Sequence, residues 1–208
     1  MRADDILQFV EGPNVLDVGC AGHEVRAGSR DWLHGRLRER FAVTGIDICE
    51  PNVALMRELG FGDLHVQSAD SFDLGRTFNT IVAGELIEHV SNPGQFFARA
   101  KAHLCADGRL VLSTPYVFSL MYALYAANHF PKTCENREHT CWFCPSTINE
   151  LAAREGLEVE SWNLVDDYSE NVKSLKYRLY WTLIRSVGKF LPSRLTKTNM
   201  IVVLKRAG

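Results

Sequence analysis

Val15-Leu-Asp-Val-Gly-Cys-Ala-Gly-His23 decides how this chain folds. The apolar run Asn14–Val18 stops at Gly19, the pattern of a short strand buried on both faces. The small residues that follow make a tight turn in which the backbone itself can approach a ligand. In a parallel sheet that turn falls at the carboxyl edge, where ligands settle near the point at which the strand order reverses.

Outward from this stretch, strand-like and helix-like signals alternate. Ser29 is placed to cap a helix through Trp32, Leu33, Leu37 and Phe41. Ala42–Asp47 reads as a second strand and Pro51–Leu59 as a helix with proline in its first turn. Asp63–Gln67, Phe78–Ala83 and Arg109–Thr114 read as the third to fifth strands, with a helix over Gln95–Leu104 before an Asp107-Gly108 turn. Continuous apolar strands separated by helices predict an α/β fold with a mainly parallel sheet covered on both faces.

After Thr114 the pattern changes. Pro115–Pro145 is a connection rich in aromatic residues and longer than a simple turn requires. A helix over Ser146–Glu155 ended by Gly156, a strand over Leu157–Leu164 and a closing strand over Asn199–Lys205 follow. Between the last two strands, Val172–Leu191 carries apolar residues at helical spacing. No repeat or linker divides the chain, so one domain over 1–208 is expected, with a lid or substrate segment at 116–144 and a basic helical insertion at 170–197.

Hydrophobic content of 46% and charged content of 23% belong to a globular chain and exclude a disordered one. No run of eighteen apolar residues appears, and the start MRADDILQFVEG lacks the apolar stretch of a secretion signal, so a cytoplasmic location is expected. The six cysteines are scattered through strand-like and helix-like segments and read as reduced thiols. The net charge of −2 conceals an asymmetry: all 25 acidic residues precede residue 171, and nine of the 23 Lys and Arg follow Glu170. Such a field steers an anionic partner to one end of the molecule.

The further acids that close the strands sharpen the reading. Gly45-Ile-Asp47 ends the second strand with a carboxylate able to accept both hydroxyls of a ribose, and Gln67-Ser-Ala-Asp70 ends the third with one suited to an adenine amino group. In order and spacing these pieces resemble the class I S-adenosylmethionine-dependent methyltransferases over about residues 10–165. Phe78-Asn-Thr-Ile-Val-Ala-Gly-Glu-Leu-Ile-Glu-His-Val90 is similar to that family's fourth-strand motif, and Leu104-Cys-Ala-Asp-Gly-Arg-Leu-Val-Leu-Ser-Thr-Pro115 to its fifth. The resemblance implies a Rossmann-like methyltransferase fold with a seven-stranded sheet whose last strand is antiparallel. It places Asp17, Gly19, Cys20 and Ala21 at the methionine end of the cofactor, with Asp47 and Ile48 at the ribose and adenine. Ala69 and Asp70 fall at the adenine edge, and Gly84 and Glu85 near the sulfonium. His23 stands where the family often has glycine, which implies a different turn or a side chain directed into the site. A nicotinamide cofactor is disfavoured by the lack of a complete G-x-G-x-x-G.

Glu85, Glu88 and His89 form a Glu-x-x-Glu-His cluster, and on a helix this spacing puts all three on one face, able to hold a hard divalent cation such as Mg or Mn. The cluster resembles the metal motif of the terminal 2′-O-methyltransferases of small RNAs and is similar to that of some ubiquinone-pathway O-methyltransferases. The resemblance adds His139, from Glu138-His-Thr-Cys-Trp-Phe143, as a fourth ligand. Glu88, His89 and His139 are also the candidate catalytic residues; without a metal, either imidazole would serve as general base. Cys141-Trp-Phe-Cys144 is a single C-x-x-C and falls short of the two pairs a structural zinc site uses.

The expected activity is O-methylation of a small hydroxylated acceptor, a sugar or glycan precursor or a phenol. An RNA ribose 2′-O-methyltransferase and a non-catalytic module that binds the cofactor or a partner are the alternatives. The acceptor would be a small molecule, glycan or lipid-linked, with the basic carboxyl-terminal region touching an anionic surface; nucleic acid is the lesser expectation.

Overall fold

The structure, a computed structural model, describes residues 2–131, 136–166, 182, 186 and 190–208. The basic helix expected over Val172–Leu191 falls almost wholly outside the described residues.

Seven strands make one sheet: β1 (Asn14–Val18), β2 (Ala42–Asp47), β3 (Leu64–Val66), β4 (Phe78–Gly84), β5 (Leu104–Pro115), β6 (Leu157–Val165) and β7 (Asn199–Arg206), in the order β3-β2-β1-β4-β5-β7-β6. β1 to β5 pair in parallel, and β7 inserts antiparallel between β5 and β6. The order reverses between β1 and β4. Their carboxyl ends therefore flank the crevice in which an open α/β sheet takes its ligand.

Neighbouring residues on one strand enter different cores, which is why the strands read as unbroken apolar runs. Leu16, Ile81, Leu110 and Val202 pack on one face with Phe96, Phe97 and Ala100 of α4 (Pro93–Ala102) and Ile148 and Ala152 of α6 (Pro145–Arg154). Val15, Val82, Val111, Ile201 and Val203 face the other way, against Ile6 and Leu7 of α1 (Arg2–Leu7) and Leu37 of α2 (Leu33–Arg38). A third cluster joins Cys20, Ala21 and Trp32 to Val53 and Met56 of α3 (Glu50–Glu58). α5 (Leu120–His129) lies within the long connection and buries no residue, and α7 (Ser193–Thr196) precedes the last strand.

Local chemistry starts the helices. The Asn92 side chain accepts the Gln95 N–H at 3.1 Å and Pro93 follows it at the head of α4. Thr147 Oγ1 takes the Cys144 N–H at 3.0 Å over Pro145 at the head of α6. Two expectations are corrected. Ser29 does not cap α2: its hydroxyl accepts the Asp31 N–H at 3.2 Å in a preceding turn, and the helix begins after Trp32. Asp107-Gly108 is not a turn between elements but an excursion inside β5, since Leu104 pairs with Phe78 and Arg109 already with Thr80. α1 carried no period long enough to be read from the sequence.

Candidate functional site

The first turn is tied to the end of β2. Gly19 adopts φ +81°, open to glycine but strained for other residues, and its N–H donates to the Ile46 carbonyl at 2.8 Å. Asp47, 8% exposed, then receives the Ala21 and Gly22 N–H groups on Oδ2 at 3.0 and 3.3 Å and the Cys49 N–H on Oδ1 at 2.9 Å. A carboxylate offers about four acceptor positions. Three are thus taken by backbone, and the capacity expected for ribose hydroxyls is correspondingly smaller. Ile48, beside it, is 73% exposed, an apolar surface at this rim, and apart from its chain neighbours no described residue comes within 4 Å of where a Cβ on Gly22 would stand. A buried carboxylate, an exposed apolar side chain and open space over the turn fit an adenosyl ligand.

The other residues expected at the cofactor separate into those that face the rim and those that build it. Asp17 is 2% exposed, and its Oδ2 accepts from His34 Nδ1 of α2 at 2.9 Å. Cys20 is buried in the third core cluster, where burial and then the nearby Asp17 and Asp47 push its thiol far above the ordinary range. It therefore offers the turn its backbone, with its carbonyl held by Trp32 Nε1–H at 3.0 Å. Asp70 Oδ1 accepts the Ser68 hydroxyl at 2.7 Å, and Ala69 packs on the first core. Gly84 ends β4, where a Cβ would stand 3.0 Å from Leu33.

Glu85 breaks the expected helix face. It sits at φ +51°, and its Oε1 accepts from Ser113 Oγ at 3.0 Å and Asn199 Nδ2 at 3.2 Å, joining the ends of β4, β5 and β7. The helix that follows is a single 3₁₀ turn, Ile87–His89, so the i, i+3, i+4 geometry never forms. Among the described residues, the groups that converge are Glu88, His89 and His139, whose ligand atoms lie within 4.8 Å of one another. Glu88 is 1% exposed and its Oε2 accepts from Thr114 Oγ1 at 2.9 Å. The Glu88 carbonyl receives the Thr140 N–H at 2.8 Å, which brings the segment carrying His139 onto the end of β4. His139 Nδ1 is buried without a hydrogen-bond partner among the described residues.

Burial lowers the pKa of both imidazoles; His23 lowers His89 further, and His89 does the same to His139. Both shifts favour the neutral ring, the form that ligates a metal or takes a proton. His23 reaches across from the first turn, its ring 5.7 Å from that of His89 and its Nδ1 3.4 Å from Glu138 Oε2. This resolves its departure from glycine: the side chain is directed toward the cluster. Trp142 stands edge-on to His139 at 5.9 Å and to Tyr122 of α5 at 4.8 Å, giving the cluster an aromatic wall. His34, Thr114 and Glu138 join the site without having been expected there: Glu138 adjoins the predicted His139 and Thr114 lies in the fifth-strand motif, but His34 lies in no motif.

A cleft of about 780 Å³ lies at the opposite, amino edge, lined by Asn14, Thr44, Asp63, Arg76 and Phe78 among others. None of the predicted site residues borders it, and it is remote from the strand ends that matter.

Comparison with known proteins agrees with this geometry. A family described as a methyltransferase domain matches residues 2–162. The chain belongs to that family and is a methyltransferase. Among curated proteins it is similar to the ubiquinone biosynthesis O-methyltransferase of Rickettsia canadensis, 27% identical over 169 residues, covering 76% of this chain and 68% of that one. It is 26% identical over 209 residues to the mitochondrial ubiquinone biosynthesis O-methyltransferase of Arabidopsis thaliana, covering 86% of this chain and 59% of the relative. The chain thus spans about three fifths of the latter's length. A solved SAM-dependent methyltransferase from Archaeoglobus fulgidus shares the fold, with a TM-score of 0.66 at 14% identity over 99% of this chain and 91% of that one. Among the described residues no helix is long and apolar enough to cross a membrane.

Proposed function

We propose that this methyltransferase transfers a methyl group from S-adenosylmethionine to a hydroxyl oxygen of a small acceptor, a phenol or a sugar or glycan precursor. The observation that carries the reading is the meeting of Glu88, His89 and His139 beside the first turn, at the carboxyl ends of β4 and β5. Bound at that turn, the cofactor supplies a methyl group activated by a positively charged sulfur. Asp17, Gly19 and Ala21 hold its methionine end, Asp47 and Ile48 its ribose and adenine, and Ala69 and Asp70 the adenine edge. The protein's own work is to align the acceptor oxygen and remove its proton. A neutral His89 or His139 accepts that proton, while Trp142 and Tyr122 wall the acceptor under the lid segment 116–144.

The cluster also fits a divalent cation. One carboxylate oxygen and two ring nitrogens lie within 4.8 Å, and His139 Nδ1 is buried with no other described partner. With Glu85 engaged elsewhere, the set is two nitrogens to one oxygen, which favours Mn²⁺ over Mg²⁺. Glu88, His89 and His139 would hold the ion, which would lower the pKa of the acceptor hydroxyl. The RNA-ribose alternative is weakened because its motif uses Glu85 as a ligand. The O-methyltransferase names of the relatives support an oxygen nucleophile, and the basic carboxyl-terminal region would guide an anionic or lipid-linked acceptor in the cytoplasm.

The test is a screen of phenol, sugar and RNA acceptors with methyl-labelled cofactor, with and without chelator. Label on a phenol or sugar oxygen supports the reading, and label only on RNA refutes it. Activity abolished by chelation and restored by Mn²⁺ supports the cation; activity indifferent to chelation removes it and leaves the histidines as bases.

A further inference from the structure

The His34–Asp17 couple lies beneath the first turn. Asp17 on β1 is level with Gly45 on β2. A side chain on Gly45 would begin 3.0 Å from His34 Cε1 and 2.7 Å from Cys20 Sγ. The missing side chain is therefore the space the imidazole fills. His34 is 0% exposed, and its ring lies against Trp32 at 5.6 Å and Phe61 at 5.9 Å. These two rings meet each other at 4.9 Å, closing the pocket around it.

Hydrogen-bond accounting sets the state of the pair. An ionised carboxylate only accepts, so the ring proton sits on Nδ1 and is donated to Asp17 Oδ2 across 2.9 Å. Nε2 is buried with no partner among the described residues, so a second proton there would be an unsatisfied buried donor. Trp32, two residues earlier, holds the turn itself through Nε1–H to the Cys20 carbonyl at 3.0 Å.

We infer that His34 is a positioning residue for the cofactor: by holding one oxygen of Asp17 it fixes the carboxylate and leaves the other oxygen for the cationic ammonium of the methionyl end. This rests on Asp17 facing that end, as proposed above. It separates two groups of similar appearance. Asp47 braces the turn through backbone N–H groups, whereas Asp17 is braced in turn by a side chain that touches no ligand.

Two ligands that differ only at the amino-acid end provide the test. Isothermal titration with S-adenosylhomocysteine and with methylthioadenosine, which lacks that end, is run on wild type, D17N, H34L and H34N. H34L is expected to weaken S-adenosylhomocysteine roughly tenfold or more and to leave methylthioadenosine within about twofold. H34N, whose amide can donate near the Nδ1 position, is expected to recover most of the loss. Equal losses on both ligands, with no recovery in H34N, would show that His34 serves the fold alone and overturn the inference. D17N binding S-adenosylhomocysteine as wild type does would overturn the Asp17 reading beneath it; D17N impaired and H34L unimpaired would overturn only the role of His34. Should H34L not fold, H34N and H34Q carry the comparison: selective loss in H34Q with retention in H34N upholds the inference, and equal loss on both ligands in each overturns it.

Discussion

Replacing Asp47 by Ala removes one acceptor from three backbone N–H groups at once: Ala21 at 3.0 Å, Gly22 at 3.3 Å and Cys49 at 2.9 Å. The Ala21 bond is buried, so its N–H is left without water, at about 1.5–3 kcal/mol for a bond to a charged group. The other two bonds are partly exposed, and water recovers most of each, leaving about 0.5 kcal/mol apiece. The expected destabilisation is about 2.5–4 kcal/mol, and for a chain of this size that lowers Tm by about 5–15 °C. D47N keeps one carbonyl oxygen and should lose about half as much. The assay is thermal unfolding followed by circular dichroism without ligand, paired with adenosine titration of whichever variants fold. A D47A protein melting within about 1 °C of wild type would refute the bracing role. D47N with near-wild-type Tm and lost adenosine affinity would show direct contact with the ribose beyond bracing.

Asn92→Ala should cost about 1 kcal/mol and a few degrees of Tm through loss of the cap on Gln95 N–H, with no change in cofactor affinity; an unchanged melting curve would show the cap to be idle. At Asp63, partial burial raises the carboxyl pKa, but hydrogen bonds from Thr44, Arg76 and His65 outweigh it and hold it below the usual value. A depressed folded pKa stabilises above the unfolded pKa and loses that stabilisation as pH falls through the folded one. Because the pair is nearly half exposed, Arg76→Ala should cost less than about 1 kcal/mol at pH 7, and its Tm gap from wild type should shrink toward pH 3; a gap that widens in acid would reverse the assignment.

How far the sequence discloses the molecule depends on the range of the interactions involved. β1, β2, β4, β5 and β7 were legible to within a residue or two or, for β5, to its paired half, because burial on both faces writes an unbroken apolar run into the chain. The start of α2 was not. Ser29 is a good cap by residue type, but Trp32 is committed to the Cys20 carbonyl, and that tertiary bond settles where the helix begins. The Asp107-Gly108 excursion was hidden for a similar reason: it is defined by pairing with β4, twenty-five residues earlier and more. Within the site, His89, Glu88 and His139 were legible as types in a motif, and the structure brings them together. Glu85 leaves the predicted helix face because its φ of +51° interrupts helical periodicity at that residue, which residue type alone does not disclose.

Asp17, Asp47 and Glu85 each invited assignment to a ligand, and each is engaged by the protein itself: Asp17 by His34, Asp47 by three backbone N–H groups, Glu85 by Ser113 and Asn199. A carboxylate fixed in advance loses little freedom when a ligand arrives, so bracing can serve binding wherever the carboxylate keeps an acceptor position open. If the proposed cofactor site is right, the groups that brace the acids, His34 on Asp17 and Asn199 on Glu85, should bear on cofactor affinity through those acids. Their substitution should lower affinity while leaving the order of acceptor preference unchanged, because in the proposed site the acceptor meets His139, Trp142 and Tyr122 instead. An Asn199→Ala variant with altered acceptor preference and unaltered cofactor affinity would break this division, since it would place the Glu85 linkage on the acceptor side of the crevice.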